Sequence, residues 1–179
     1  MSIIDLGECE NLLKKENHIN VEDSLIILKL EKKTNIASDK NVQYEIYNPI
    51  TLKKLDLFIC VNTSIHLYIP LTLSEKTQNL YDDLPEYGYD LFNINDLFYQ
   101  DICTQYISIN GTDVLLSVRK NDFYDNETKC QENCKYSSYI SESKYLKCEC
   151  NIDYEDIYTN EPEKFNVDFL MQNFYNVLK

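Results

Sequence analysis

Cys130-Gln-Glu-Asn-Cys134-Lys-Tyr-Ser-Ser-Tyr-Ile-Ser-Glu-Ser-Lys-Tyr-Leu-Lys-Cys148-Glu-Cys150 is the stretch whose reading decides the architecture of this chain. It packs four of the 7 cysteines into a C-x3-C-x13-C-x-C pattern. Thiols this dense either hold disulfides or grip a metal, and the choice fixes the compartment. Four-thiolate zinc sites usually bring C-x2-C knuckles, because that spacing bends both sulfurs onto one tetrahedral ion. The x3 and x spacings match that pattern poorly, and the two histidines, His18 and His66, lie far away in sequence. Disulfides fit better. Cys148 and Cys150 would bond each other only under strain, so each needs a partner elsewhere. Zinc held by the clustered thiols in an intracellular interaction domain stays as the alternative.

Around the cluster the chain reads as strands. Tyr145 to Cys150 is expected to be a strand, whose period of two puts Cys148 and Cys150 on one face. Upstream, Asn110-Gly111 is the strongest turn signal and predicts a hairpin leading into a strand over Asp113 to Val118. Asp96 to Gln100 reads as a short helical turn. Ser24 to Leu30 reads as a buried strand, and Val42 to Tyr47 as a half-exposed one ended by Asn48-Pro49. Leu55 to Cys60 and Ile65 to Ile69 follow as two further strands. Helical spacing of Leu6, Cys9, Leu12 and Leu13 predicts a short helix over Asp5 to Asn17, with Asp5 as a candidate cap. A weaker helix over Ser74 to Asp83 is capped by Ser74 and broken between Leu84 and Gly88. At the far end, Phe165, Phe169, Leu170, Phe174, Val177 and Leu178 fall on one helical stripe after a capping-box-like Asn160 and Glu163.

The expected fold is therefore mainly β with a minor α contribution. It consists of antiparallel β-sandwich-like units, a disulfide-rich C-terminal part and short flanking helices. Three parts are expected: a β-rich unit over 1–85, a cysteine-containing β-rich unit over 86–152, and an acidic linker with an amphipathic helix over 153–179. At 179 residues, 44% hydrophobic and 12% aromatic, the chain can bury a working core. Tyrosine dominates the aromatics, 15 against 7 phenylalanines and no tryptophan, which suits half-buried sheet faces.

The net charge of −13 repels phosphate backbones, and no basic stripe offsets it, so nucleic-acid binding is excluded. No apolar run approaches the roughly 18 residues that a bilayer span needs. The N-terminus lacks the charged and apolar regions of a signal peptide, so oxidised cysteines would imply a piece of a longer precursor. Any membrane attachment is then expected through segments absent from this chain.

No catalytic constellation stands out. Cys60 with His66 is the one close thiol–imidazole pair, and strand alternation makes both structural. The acidic run Asp82, Asp83, Asp90, Asp96 and Asp101 lacks the spacing of an EF-hand and reads as a solvated face. No cofactor or metal is expected. Sequons occur at Asn62, Asn110 and Asn126, all in predicted turns or loops, as candidate glycosylation sites.

The order Cys103, Cys130-x3-Cys134, Cys148-x-Cys150 resembles an EGF-like module lacking its last cysteine. By that resemblance Cys103 pairs with Cys134 and Cys130 with Cys148, while Cys150 is unpaired in this fragment. Cys9 and Cys60 would then pair across the N-terminal unit. A wider resemblance rests on Asp101-Ile-Cys103, Asn110-Gly-Thr-Asp-Val-Leu-Leu116, Arg119-Lys120 and Lys147-Cys-Glu-Cys150. With Leu6-Gly-Glu-Cys9 and Lys54-Leu-Asp-Leu-Phe-Ile-Cys60, these segments resemble a block of large cysteine-rich surface proteins of ciliates and related protists. The resemblance implies an uncharacterised, non-catalytic ectodomain segment on the extracellular face of the plasma membrane or secreted. Its structural or ligand-binding role would serve a protein or small ligand at the cell surface.

Overall fold

The structure is a computed structural model and describes residues 1–31, 42–100, 115–125 and 127–152. Its centre is a four-stranded antiparallel sheet in the order β1-β4-β6-β5, formed by Ile3–Asp5 (β1), Ser64–Pro70 (β4), Cys134–Ile140 (β5) and Tyr145–Asn151 (β6). Ile26–Glu31 (β2) and Val42–Tyr47 (β3) make a separate antiparallel pair. Among the described residues 31% are helical and 29% lie in strands, so helix has as large a share as strand. Antiparallel sheets and disulfides are both present, and the two sheets do not form a clear sandwich. The boundary expected at residue 85 runs through one sheet, because β4 lies before it and β6 after it.

The sheet is built on alternation. Ile65, Leu67 and Ile69 of β4 are buried, and across the register they face Cys150, Cys148 and Leu146 of β6. These pairs form one continuous apolar face, the arrangement that fixes register most strongly. The α1 helix, Glu8–Glu16, runs beside β4 and buries Cys9 and Leu13. Its start turns on Gly7, whose φ of 53° lies in the left-handed region that favours glycine. Asp5 acts one step earlier than a cap, accepting from the Gly7 N–H at 3.0 Å. Glu8 and Glu10 in the first turn, and Lys14 and Lys15 in the last, complement the helix dipole. Lys14 is itself buried, held by Glu10 at 2.7 Å and by the Val21 carbonyl at 2.9 Å.

Several segments depart from the sequence expectation. Leu55 to Cys60 is not a strand: after one bridge between Tyr47 and Lys54 it winds into a 3-10 turn over Leu57–Cys60. Asp56 begins the turn by accepting from the Phe58 N–H at 2.9 Å, and an aspartate at that place competes with strand pairing. β2 is a strand but not a buried one. Its apolar residues Ile26, Leu28 and Leu30 point outward, 37 to 42% exposed, while Ile27, Lys29 and Glu31 face inward. Of the strand expected over Asp113 to Val118, residues 115–118 are described, and they lead into a helical turn, Leu116–Arg119 (α4). Short apolar runs do not separate strand from helix, and here Arg119 anchors the turn. It is buried, donates to the Phe98 carbonyl at 3.4 Å and lies over the Phe98 ring. Glu75–Asp83 (α2) starts at Ser74, whose hydroxyl accepts from Thr77 N–H at 3.1 Å, and Leu97–Gln100 (α3) is the short turn expected there. The Asn110-Gly111 hairpin and the C-terminal helix lie outside the described residues.

The inward face of β2 ties the N-terminus down. Glu31 accepts from the Ser2 N–H at 2.8 Å and from Lys29 at 2.7 Å. Partial burial disfavours its charge, but these bonds from Lys29 and Ser2 outweigh that and hold its carboxyl down to about 2. Because this lies below the unfolded value of 4.5, the stabilisation is complete above that pH and is lost as pH falls toward 2. Glu31→Gln is expected to cost about 0.5–1 kcal/mol at pH 7, the carboxylate being partly solvated. Urea titrations at pH 7 and pH 2 check this, since the gap between variant and wild type should close at the lower pH.

Candidate functional site

All six described cysteines are in disulfides: Cys9–Cys60, Cys130–Cys148 and Cys134–Cys150. Cys150 is therefore not left free, and Cys134 does not wait for Cys103. The register explains the difference, because Cys134 sits directly opposite Cys150 on β5 and β6, with Cα atoms 4.0 Å apart. The EGF-like spacing could not reveal that both cysteines lie in adjacent strands. Cys103 lies outside the described residues. None of the six bonded cysteines offers a thiolate, so the zinc alternative loses the ligands it was built on. Cys60 is also removed as a nucleophile beside His66, whose Nδ1 instead lies 3.8 Å from Asp5. Three intramolecular disulfides point to an oxidising, extracellular or secreted setting. Among the described residues no helix is long and apolar enough to cross a membrane.

Of the three sequons, Asn62 is described and Asn110 and Asn126 are not. Asn62 is exposed in the turn entering β4, with φ 70°. The neighbouring Thr63 is held inward, its N–H and hydroxyl both on the Cys60 carbonyl at 2.9 and 2.7 Å.

A cleft of about 640 Å³ lies between β5, the end of α2 and the segment from Tyr89 to Asn95. Its aromatic wall depends on a β-bulge. Tyr136 pairs with Cys148 and Tyr139 with Leu146, so three residues of β5 span two of β6. The extra residue at Ser137–Ser138 returns Tyr139 to the face that carries Tyr136, where regular alternation would have sent it to the other side. Cys134–Cys150 joins β5 to β6 at the base of this hairpin, and Cys130–Cys148 ties the segment before β5 to β6.

The opposite wall is a run of turns at intervals of three residues. Asp90, Asn93 and Asp96 each accept a side-chain hydrogen bond from the N–H two residues on, at Phe92, Asn95 and Phe98, at 2.8 to 3.0 Å. Backbone bonds repeat the same step, from Asn93 N–H to Asp90 and from Asp96 N–H to Asn93. Each Asx side chain thus replaces a missing strand or helix partner. The ladder throws Phe92 and Phe98 inward, 7% and 1% exposed. Asp90 and Asp96, read from sequence as a solvated acidic face, have these turn-forming roles. Among the described residues no group of three acidic, histidine or cysteine side chains converges as a metal site.

The walls meet through rings. Phe92 stacks on Tyr139 with centroids 4.2 Å apart, Tyr81 stands edge-on to Tyr139 at 87°, and Tyr124 edge-on to Tyr136 at 88°. Tyr136 donates to the Phe92 carbonyl at 2.9 Å and Tyr99 to the Leu91 carbonyl at 2.7 Å, so the half-buried and the buried hydroxyl are both satisfied. Burial, and then the charge of neighbouring groups, pushes Tyr136 upward, with Tyr124 and Asp90 acting on it. Tyr139 rises through burial and the proximity of Tyr81, Asp82 and Glu127. The phenols stay neutral, and Asp90 is the carboxylate in the lining. Sequence reasoning missed this site. The signal was present in Asp90-Leu-Phe-Asn93-Ile-Asn-Asp96-Leu-Phe98, an Asx residue at every third place with phenylalanine two after each aspartate.

No family model, curated protein or solved structure matches the chain.

Proposed function

We propose that this chain is a non-catalytic, disulfide-stapled ligand-binding module of a cell-surface or secreted protein, and that the aromatic cleft takes its ligand. The cleft is the observation that carries the reading. Its size falls within the roughly 300–1,000 Å³ usual for small-ligand sites, and its walls are fixed by a bulged, disulfide-bridged hairpin and an Asx ladder. A rigid, largely preformed concavity favours binding because little ordering entropy remains to be lost on occupation. Among the described residues the cleft's lining offers phenols, serines, amides and Asp90, groups suited to hydrogen bonding a ligand. The disulfides support an extracellular placement, and the exposed Asn62 suits glycosylation there.

Secretory expression followed by NMR tests both halves. The secreted chain should keep its disulfides and lose mass from Asn62 on glycosidase treatment. Its amide spectrum should respond saturably to at least one of a saccharide, an alcohol, a carboxylate or an organic cation. The shifts should concentrate at 89–95 and 136–139. Secretion as a reduced, unglycosylated species would remove the extracellular reading. A cleft indifferent to every probe would leave only a structural role.

A further inference from the structure

We infer that the ligand of the cleft is an organic cation, an alkylammonium or guanidinium group seated among the rings of Tyr81, Tyr139, Tyr124 and Tyr136 beside Asp90. The inference rests on the cleft being a ligand site, as proposed above, and names the chemistry it selects. Three observations converge on it.

The first is charge. Asp90 is the one ionisable carboxylate lining the cleft, and no lysine, arginine or histidine joins it among the described residues. Its Oδ1 accepts from the Phe92 N–H, but a carboxylate has about four lone-pair sites and keeps acceptor capacity for a cation. Asp82 and Glu127 lie close enough to act on Tyr139, which extends the negative field. An anionic ligand would be repelled, and a neutral one would gain nothing from this field.

The second is ring geometry. Tyr81 and Tyr139 meet at 87°, and Tyr124 and Tyr136 at 88°. Phe92 covers one face of Tyr139, and beside each edge-to-face pair a corner remains in which a compact cation meets more than one π surface. A pyranose would instead need a flat ring platform to lie on. The third is precedent within the fold, whose own cations already sit over rings. Lys76 lies 5.0 Å from the Phe123 centroid, and Arg119 lies 5.2 Å from that of Phe98.

The test uses the oxidised full-length chain and four probes: choline, its neutral isostere 3,3-dimethylbutan-1-ol, N-acetylarginine methylamide and methyl glucoside. Choline or the arginine derivative should bind about 3- to 5-fold tighter than the isostere, the scale of a cation–π site open to solvent beside an exposed carboxylate. Binding of the cation should also weaken with salt. Asp90→Asn retains an oxygen acceptor for the Phe92 N–H but removes the charge. It should weaken the cation about 3- to 5-fold and leave the isostere unchanged. Tighter binding of choline identifies a small-molecule source, and tighter binding of the arginine derivative a partner's side chain; either supports the inference. If the isostere or the glucoside binds as well as the cations, the cation reading fails while the ligand site stands. If no probe moves the cleft amides, both fail together.

Discussion

Replacing both Cys9 and Cys60 by alanine is expected to lower the unfolding free energy by about 4 kcal/mol, the largest effect of any bridge in the chain. The bond joins residues 51 apart, whereas the two bridges to β6 span 18 and 16. In the chain-entropy account a longer closed loop restricts the unfolded ensemble more, and the shorter bridges come to about 3 kcal/mol each. The folded state adds a second reason. Cys9 and Cys60 are both fully buried, and the bond pins α1 against the 3-10 turn before β4. Without it, the turn begun by Asp56 keeps only the packing of Leu57 and Ile59 on the core to hold it near the helix. Denaturant unfolding of the Cys9→Ala/Cys60→Ala and Cys134→Ala/Cys150→Ala double variants checks the order. A hairpin variant less stable than the long-loop variant would show that local strand geometry, not loop closure, dominates.

The sequence revealed those parts of the fold that depend on local pattern. Ile65, Leu67 and Ile69 alternate with polar or half-buried neighbours, and β4 lies where alternation puts it. Ser74 caps α2 because a serine hydroxyl before a polar first turn has few better uses. Cys148 and Cys150 share a face because a strand has a period of two. What failed depended on partners distant in sequence. β2 is as apolar as a core strand, yet only its inward face meets the rest of the molecule, and composition carries no record of which face that is. Cys134 found Cys150 through a strand register that cysteine spacing does not encode. The cleft depended on the bulge at Ser137–Ser138, one added residue that reverses the facing of Tyr139. Nothing in Lys135-Tyr-Ser-Ser-Tyr139 marks the bulge, since its position follows from pairing with β6. The Asx ladder is locally encoded, but its aspartates carry a charge pattern that matches a solvated face as well as a row of turn acceptors.

Leu67→Ala is expected to destabilise the protein by about 3 kcal/mol, while Leu28→Ala should change stability by less than about 1 kcal/mol. Both are leucines in strands, and their burial separates them. Leu67 is fully buried and Leu28 is 41% exposed. Truncation of Leu67 removes transfer energy and leaves a cavity, because the neighbours on either side are fixed by pairing and cannot close on it. Those neighbours form a row across all four strands: Ile4 on β1, Leu67 on β4, Cys148 on β6 and Tyr136 on β5. Cys148 is bonded to Cys130, and Tyr136 is tied to the Phe92 carbonyl, so the cavity is bounded by a bridge at one step and the cleft wall at the next. The loss should therefore reach the cleft. Hydrogen exchange should accelerate in β4 and β6 and also at Phe92, whereas Leu28→Ala should leave those amides protected. Ordinary protection at Phe92 in the Leu67 variant would separate the cleft from the core and place its rigidity in the Asx ladder alone.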